Sequence, residues 1–178
     1  MKKMIICFGI VAFMSCNSDK DKKAGPETPA ATTATPPADL PYKASYSSNW
    51  STDVSDADLK TVLQSYKDWA DGNLTALGAA FADTVDVEMS SGDHLHKSKD
   101  DLMKFWGTYR DSLSSVAIDM EGWQKMYATD KKEAYIVAWY KETDTYKTGK
   151  VDSASFHDIN QVKDGKIVWY SEYRRPLK

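Results

Sequence analysis

The pattern of apolar positions divides the chain into a helical part and a strand part. Leu59, Val62, Leu63, Tyr66, Trp69 and Ala70 recur at three- and four-residue intervals, the spacing that puts side chains on one face of an α-helix. Ser55-Asp56-Ala57-Asp58 precedes them with N-cap candidates and acids suited to the positive end of a helix dipole. Gly72-Asn73 stops that helix and opens a second, with Leu74, Leu77, Gly78 and Phe81 on one face. From Thr84 to Met89 the period falls to two: Val85, Val87 and Met89 alternate with Asp86 and Glu88, as in a half-buried strand. Ser90 to Lys97 reads as a polar loop. Ser98 with Asp101 forms an acidic variant of the capping box, and Leu102, Phe105, Trp106, Tyr109 and Leu113 supply the stripe of a third helix.

Strands follow. Ser115 to Tyr127 alternates through Val116, Ile118 and Met120, with Gly122 as the expected site of a bulge. Glu133 to Tyr146 sets Tyr135, Val137 and Trp139 against Ile136, Ala138 and Tyr140. Ser153 to Tyr173 holds two runs around Lys163-Asp164-Gly165-Lys166, a hairpin signal because glycine accepts the positive φ of a tight turn. Parity puts Phe156, Asp158, Asn160 and Val162 on one face of the first arm, and His157, Ile159 and Gln161 on the other. In the second arm Val168, Tyr170 and Glu172 oppose Ile167, Trp169 and Tyr173. Both faces mix apolar and polar groups, as expected where one covers a core and the other lines a wet cavity. The element order predicts an α+β domain, helices packed on a curved antiparallel sheet.

Residues 1–15, MKKMIICFGIVAFMS, combine a basic start with an apolar run too short to span a bilayer, and read as a secretory signal peptide. The following Phe13-Met14-Ser15-Cys16 resembles a bacterial lipoprotein signal. That resemblance implies a lipidated Cys16 at the mature N-terminus and a cell-envelope protein held to a membrane by its lipid. Residues 16–41, rich in Pro, Ala and Thr, read as a disordered tether. Residues 42–57 are transitional; Tyr42, Tyr46 and Trp50 recur every four residues and are expected to dock on the domain at 58–178. The only cysteines are Cys7 and Cys16, which excludes disulfides, thiol nucleophiles and cysteine metal sites from the folded part. The formal charge is −3, and loss of Lys2 and Lys3 makes the remainder two units more negative. A mildly acidic chain without a long basic run argues against nucleic acid as partner. No serine lies in a nucleophile-elbow context and no glycine-rich phosphate loop is present, so no cofactor is expected.

LQSYKDWADGNLTALGAAFADTVDVEM, then KSKDDLMKFW and finally FHDINQVKDGKIVWYSEY, resemble the nuclear transport factor 2 superfamily and its SnoaL-like members, from about Asp58 to Arg174. The resemblance implies a cone-shaped α+β barrel: three helices against a strongly bent antiparallel sheet, a pocket in the wide end, and often a homodimer through the sheet. It is unspecific for function, since the superfamily includes isomerases, dehydratases, epoxide hydrolases, cyclases and pure binding or association domains. In its ketosteroid isomerase branch a general base ends the first strand; the matching residue here is Met89, which accepts no proton. That branch pairs a helix tyrosine with a protonated strand acid. The acid matches Asp158; the tyrosine falls near Tyr66, with Ser65 the match when counted back from Gly72.

The same resemblance places Asp158, Asn160, Tyr170 and Glu172 toward the pocket, and Trp69, Met89, Trp106 and Trp139 with Tyr66 along apolar walls suited to a flat or aromatic ligand. His94 and His96 alternate in a stretch expected to be a solvated loop; as a metal pair they would need Asp93 or Asp100 as a further ligand, and no metal site is expected. His157 is expected on the outer or dimer face. The leading reading is a lipid-anchored domain that binds a small, largely apolar molecule. The alternatives are a lyase, isomerase or hydrolase using Asp158 as acid/base with Tyr66, Tyr170 or Glu172 assisting, and an association domain without a ligand. The sequence names no reaction.

Overall fold

The computed structural model describes residues 39–177. The leader, Cys16 and most of the tether lie outside the described residues. Elements follow in the order β1 (Trp50–Ser51), α1 (Asp56–Asp71), α2 (Leu74–Ala80), β2 (Phe81–Glu88), β3 (His94–Ser98), α3 (Lys99–Arg110), β4 (Leu113–Ala128), β5 (Glu133–Tyr146), β6 (Val151–Lys163) and β7 (Lys166–Pro176). The strands form one sheet in the order β1-β4-β5-β6-β7-β2-β3. Every neighbouring pair is antiparallel except β2 and β7, which run parallel.

Local chemistry sets the helix ends that matter for the site. Ser55 caps α1 by accepting from the Asp58 backbone N–H, and Ser98 caps α3 by accepting from that of Asp101. Gly72 ends α1 at φ +72°, a left-handed conformation that suits glycine. Arg110 of α3 donates to the carbonyls of Trp69 (3.2 Å) and Ala70 (3.1 Å), so a cation sits on the negative end of α1 and fixes the turn that carries Trp69. Val62 and Tyr66 of α1, Leu77 of α2 and Leu102 of α3 bury against Ile136, Ala138, Tyr140, Phe156, Val162 and Tyr170 of the sheet. The described residues therefore show three helices on the inner face of a mostly antiparallel sheet.

Four local readings differ from the pattern. Phe81 and Leu113 extend helical stripes in the sequence, yet each opens a strand and is buried there. Residues 94–98 form an edge strand, His96 opposite Asp86 and His94 opposite Glu88. Backbone pairing needs no apolar run, so a polar edge strand looks like a loop in sequence. Val168 is an extra residue in β7, between Ile167, which pairs with Val162, and Trp169, which pairs with Gln161. This bulge reverses the parity and buries Ile167 along with Tyr170, where strict alternation had set them on opposite faces. The bulge in β4 falls at Glu121, between Met120 and Gly122. The turn before β7 has positive φ at Asp164 (52°) and Gly165 (73°), as a tight hairpin requires.

The segment before α1 contributes the two-residue strand β1 at the sheet edge. Tyr46 bonds to Glu133 and to Tyr135 Oη, and the Trp50 ring meets Tyr135 edge-on at 5.9 Å. Tyr42 remains 86% exposed and does not dock.

Candidate functional site

Sheet register gathers the polar centre of the site. Asp158 of β6 pairs with Ala138 of β5 on one side and Glu172 of β7 on the other, and Asn160 pairs with Tyr170. Tyr140, two residues beyond Ala138, shares its face. Asp158 Oδ2 accepts from Tyr140 (2.7 Å), Tyr170 (3.0 Å) and Tyr66 (3.2 Å). Asn160 Nδ2 donates to Tyr66 Oη at 3.0 Å. It is Tyr66, not Ser65, that reaches the acid; Ser65 Oγ turns back to the Val62 carbonyl. Asp158 Oδ1 is buried and has no partner among the described residues. Burial pushes the Asp158 carboxyl up to about 7, against the tyrosine hydrogen bonds that favour its ionised form. Burial and the same carboxylate hold Tyr66, Tyr140 and Tyr170 well above the usual phenol range, so all three are neutral donors.

A cavity of about 730 Å³ lies between helices and sheet, within the size range of small-molecule sites. Trp69, Phe81, Met89, Trp106 and Phe156 supply apolar wall. The Trp69 and Tyr109 rings stack at 6.2 Å, and Trp106 stands edge-on to Phe81 and Tyr170. Polar wall comes from Tyr66, Tyr140, Tyr170, Asn160 and Glu172, together with Glu142 and Asp144 farther along β5. Glu142 accepts from Trp69 Nε1 at 3.1 Å, and burial with the nearby Asp144 pushes it up to about 8. Asp144 Oδ2 accepts from Tyr109 at 2.7 Å; burial raises this carboxyl also. Glu172 accepts from Ser90 at 2.6 Å and more distantly from Tyr170.

Two expected placements are corrected. Trp139 does not line the cavity. It lies on the opposite face of β5 from Ala138 and Tyr140, with its ring against His157 at 6.2 Å. Asp158 is fully buried and is not among the residues that border the cavity; Tyr66, Tyr140 and Tyr170, whose hydroxyls donate to its Oδ2, border it instead. The other expected wall residues, Tyr66, Trp69, Met89, Trp106, Asn160, Tyr170 and Glu172, all border the cavity. Sequence reasoning missed Tyr109, Tyr140, Glu142 and Asp144. The signal for the last three was present as the even-numbered face of β5, but choosing that face over the one with Trp139 required the register with Asp158.

His94 and His96 are exposed on β3, where His96 Nδ1 meets Asp86 at 2.6 Å and His94 stands 3.9 Å from Glu88. Among the described residues no group of three His, Cys, Asp or Glu side chains is arranged to hold a metal ion. A second, more polar cavity of about 630 Å³ borders Glu88, His94, His157 and Arg175 and shares Met89, Glu172 and Arg174 with the first.

Solved structures with the same fold include AusH from Aspergillus nidulans, with TM-score 0.56 and 12% identity over 68% of this chain and 86% of that one. An LEH-like epoxide hydrolase from M. tuberculosis gives 0.58 and 8% over 68% and 84%. An NTF-2 like protein of unknown function from Burkholderia xenovorans LB400 gives 0.52 and 13% over 69% and 86%. At such identities the likeness concerns the fold. No curated protein matches the chain. The SnoaL-like domain matches residues 62–170, from the middle of α1 to the tyrosine of β7 that binds Asp158. The chain belongs to the SnoaL-like domain family, with the nuclear transport factor 2-like fold.

Proposed function

We propose that this chain binds a small, largely apolar molecule in the cavity between its helices and sheet. The observation that carries the reading is the open volume of about 730 Å³ that remains although Trp69, Trp106 and Phe156 already stand in its walls. An association domain without a ligand has no use for such space; a core filled by its own side chains packs more stably. Native mass spectrometry of the full chain, purified gently from its own host, tests this. A bound small molecule, retained in Trp139→Ala and lost in Trp69→Ala, is the expected result. A clean mass, together with no binding across a panel of aromatic and alicyclic compounds, overturns it.

The tyrosine cluster on Asp158 favours a second reading, proton transfer to a bound substrate. Tyr66, Tyr140 or Tyr170 would present the proton and Asp158 would receive or supply it behind them. Here Asp158→Asn separates the two: a binding protein keeps its ligand, whereas turnover falls by roughly a hundredfold or more.

The proposal includes a lipid anchor at Cys16 that holds the domain at the cell envelope, supported by the leader-like residues 1–15 and the tether composition of 16–41. Intact mass should show loss of residues 1–15 and an added lipid on Cys16. It also includes a homodimer through the outer sheet face, supported by Tyr173, which is 60% exposed beside His157 and Trp139. Sedimentation velocity of Tyr173→Glu against the unmodified chain checks that state.

A further inference from the structure

The cavity is acidic as well as aromatic, and the acids are not balanced within it. Glu142, Asp144 and Glu172 all contribute to its wall. Among the described residues Arg174 is the one basic residue there, and its guanidinium is already engaged, 2.7 Å from Asp152 and over the Phe156 ring at 6.0 Å. Asp144 is only 7% exposed. Its Oδ2 is taken by the Tyr109 hydroxyl, while Oδ1 is buried without a partner among the described residues. A buried carboxyl oxygen left unpaired is costly, and Asp144 with Glu142 borders the cavity, so a ligand group of opposite character beside this pair offsets that cost.

The aromatic surfaces beside it have the same preference. Trp69 and Tyr109 stack nearly parallel, 6° between planes, next to Glu142 and Asp144, and indole and phenol faces attract cations. The hydrogen bonds already made at the carboxyls, from Trp69 Nε1 to Glu142 and from Tyr109 Oη to Asp144, fix the acids against these rings. A neutral ligand would leave the charge of these acids unanswered, and an anion would be repelled by those that are ionised.

We propose that the ligand is an organic cation, a protonated amine on an apolar or aromatic body, with its nitrogen at Asp144 and Glu142 beside Trp69 and Tyr109 and its body along Trp106, Phe81 and Phe156. This rests on the binding reading above and names its ligand class. Burial first and the neighbouring Asp144 second raise the Glu142 carboxyl, and a cation at this place would favour its ionised form against both.

Three probes of nearly one shape test the inference on the full chain: benzyldimethylammonium, its neutral carbon isostere isobutylbenzene, and the anion phenylacetate. Titration calorimetry and the tryptophan fluorescence change give the affinities. The cation should bind about tenfold or more tighter than either other probe, the scale of one desolvated cation–π contact with a carboxylate partner. Asp144→Asn and Glu142→Gln keep side-chain volume and should each remove much of that preference, while circular dichroism shows the fold retained. Equal or tighter binding of isobutylbenzene overturns the cation assignment and leaves the apolar binding site standing. Failure of all three at millimolar concentration also overturns it, and the host-purified mass measurement then decides the binding reading on its own.

Discussion

Tyr140 of β5 donates a 2.7 Å hydrogen bond to Asp158 of β6, so a neutral phenol stands between a buried carboxyl and the cavity. The bond exists because Ala138 is opposite Asp158 in the register and Tyr140 lies two residues along the same face. Tyr140→Phe removes the largest influence that favours the ionised acid. The Asp158 carboxyl should then titrate above about 7, as followed by carboxyl-carbon NMR; an unmoved titration would count against the cluster.

Asp158→Ala leaves the hydroxyls of Tyr66, Tyr140 and Tyr170 without their acceptor in a buried setting. At about 1–3 kcal/mol for each unsatisfied group, the loss in unfolding free energy should reach several kcal/mol by urea denaturation. Asp158→Asn retains one acceptor oxygen and should lose clearly less. Equal losses would show that the carboxyl itself, not an acceptor oxygen for the three hydroxyls, sets the cost.

Acidity of the buried carboxyls makes stability depend on pH. Asp158 rises from 3.8 to about 7 and Glu142 from 4.5 to about 8, so between these limits the folded state holds more protons than the unfolded chain. Unfolding free energy must therefore fall as pH rises through that window, and the stabilising protonation is fully present only near or below pH 4. The lowered carboxyls of Asp101 and Asp130 act in the opposite sense, but only where the pH is acid enough to protonate them. The expected outcome is a midpoint of thermal unfolding that drops from pH 5 to pH 9, with a visibly flatter profile in Asp158→Asn/Glu142→Gln. A flat profile in the unmodified chain would contradict both shifts.

Gly72→Ala should destabilise the domain by about 1 kcal/mol or more, since φ +72° is strained for alanine. Its Cβ would also approach the Arg110 guanidinium to 3.1 Å, the group that holds the Trp69 carbonyl. A shift in tryptophan emission together with the lower denaturation midpoint would connect this turn to the cavity wall.

Ala138→Leu tests the space around the acid. Ala138 is fully buried opposite Asp158, so added methyl groups have nowhere to go without moving Asp158 or Tyr140. Overpacking of this kind costs about 1–3 kcal/mol. Calorimetric unfolding should show that loss.

Much of the architecture was legible in residue periods. The stripe from Leu59 to Ala70, the capping serines at 55 and 98, and the Asp164-Gly165 turn are local signals, and the structure places α1, α3 and the last hairpin on them. The inward face of β6, with Phe156, Asp158, Asn160 and Val162, followed from parity because that strand carries no bulge over these residues. Parity failed at Val168, where an extra residue turns the strand and no local signal announces it.

What the sequence determined by itself was the element order, the helix stripes and the set of polar residues that share a face, because each depends on chain spacing of a few residues. Which face of β5 looks inward depended on pairing between strands, since both of its faces carry aromatics. Tertiary structure alone decided that Tyr140 with Glu142 and Asp144, and not Trp139, border the cavity. It also withdrew Asp158 behind three tyrosines: the register joins residues 66, 140, 158 and 170, whose separations in the chain encode no distance in space.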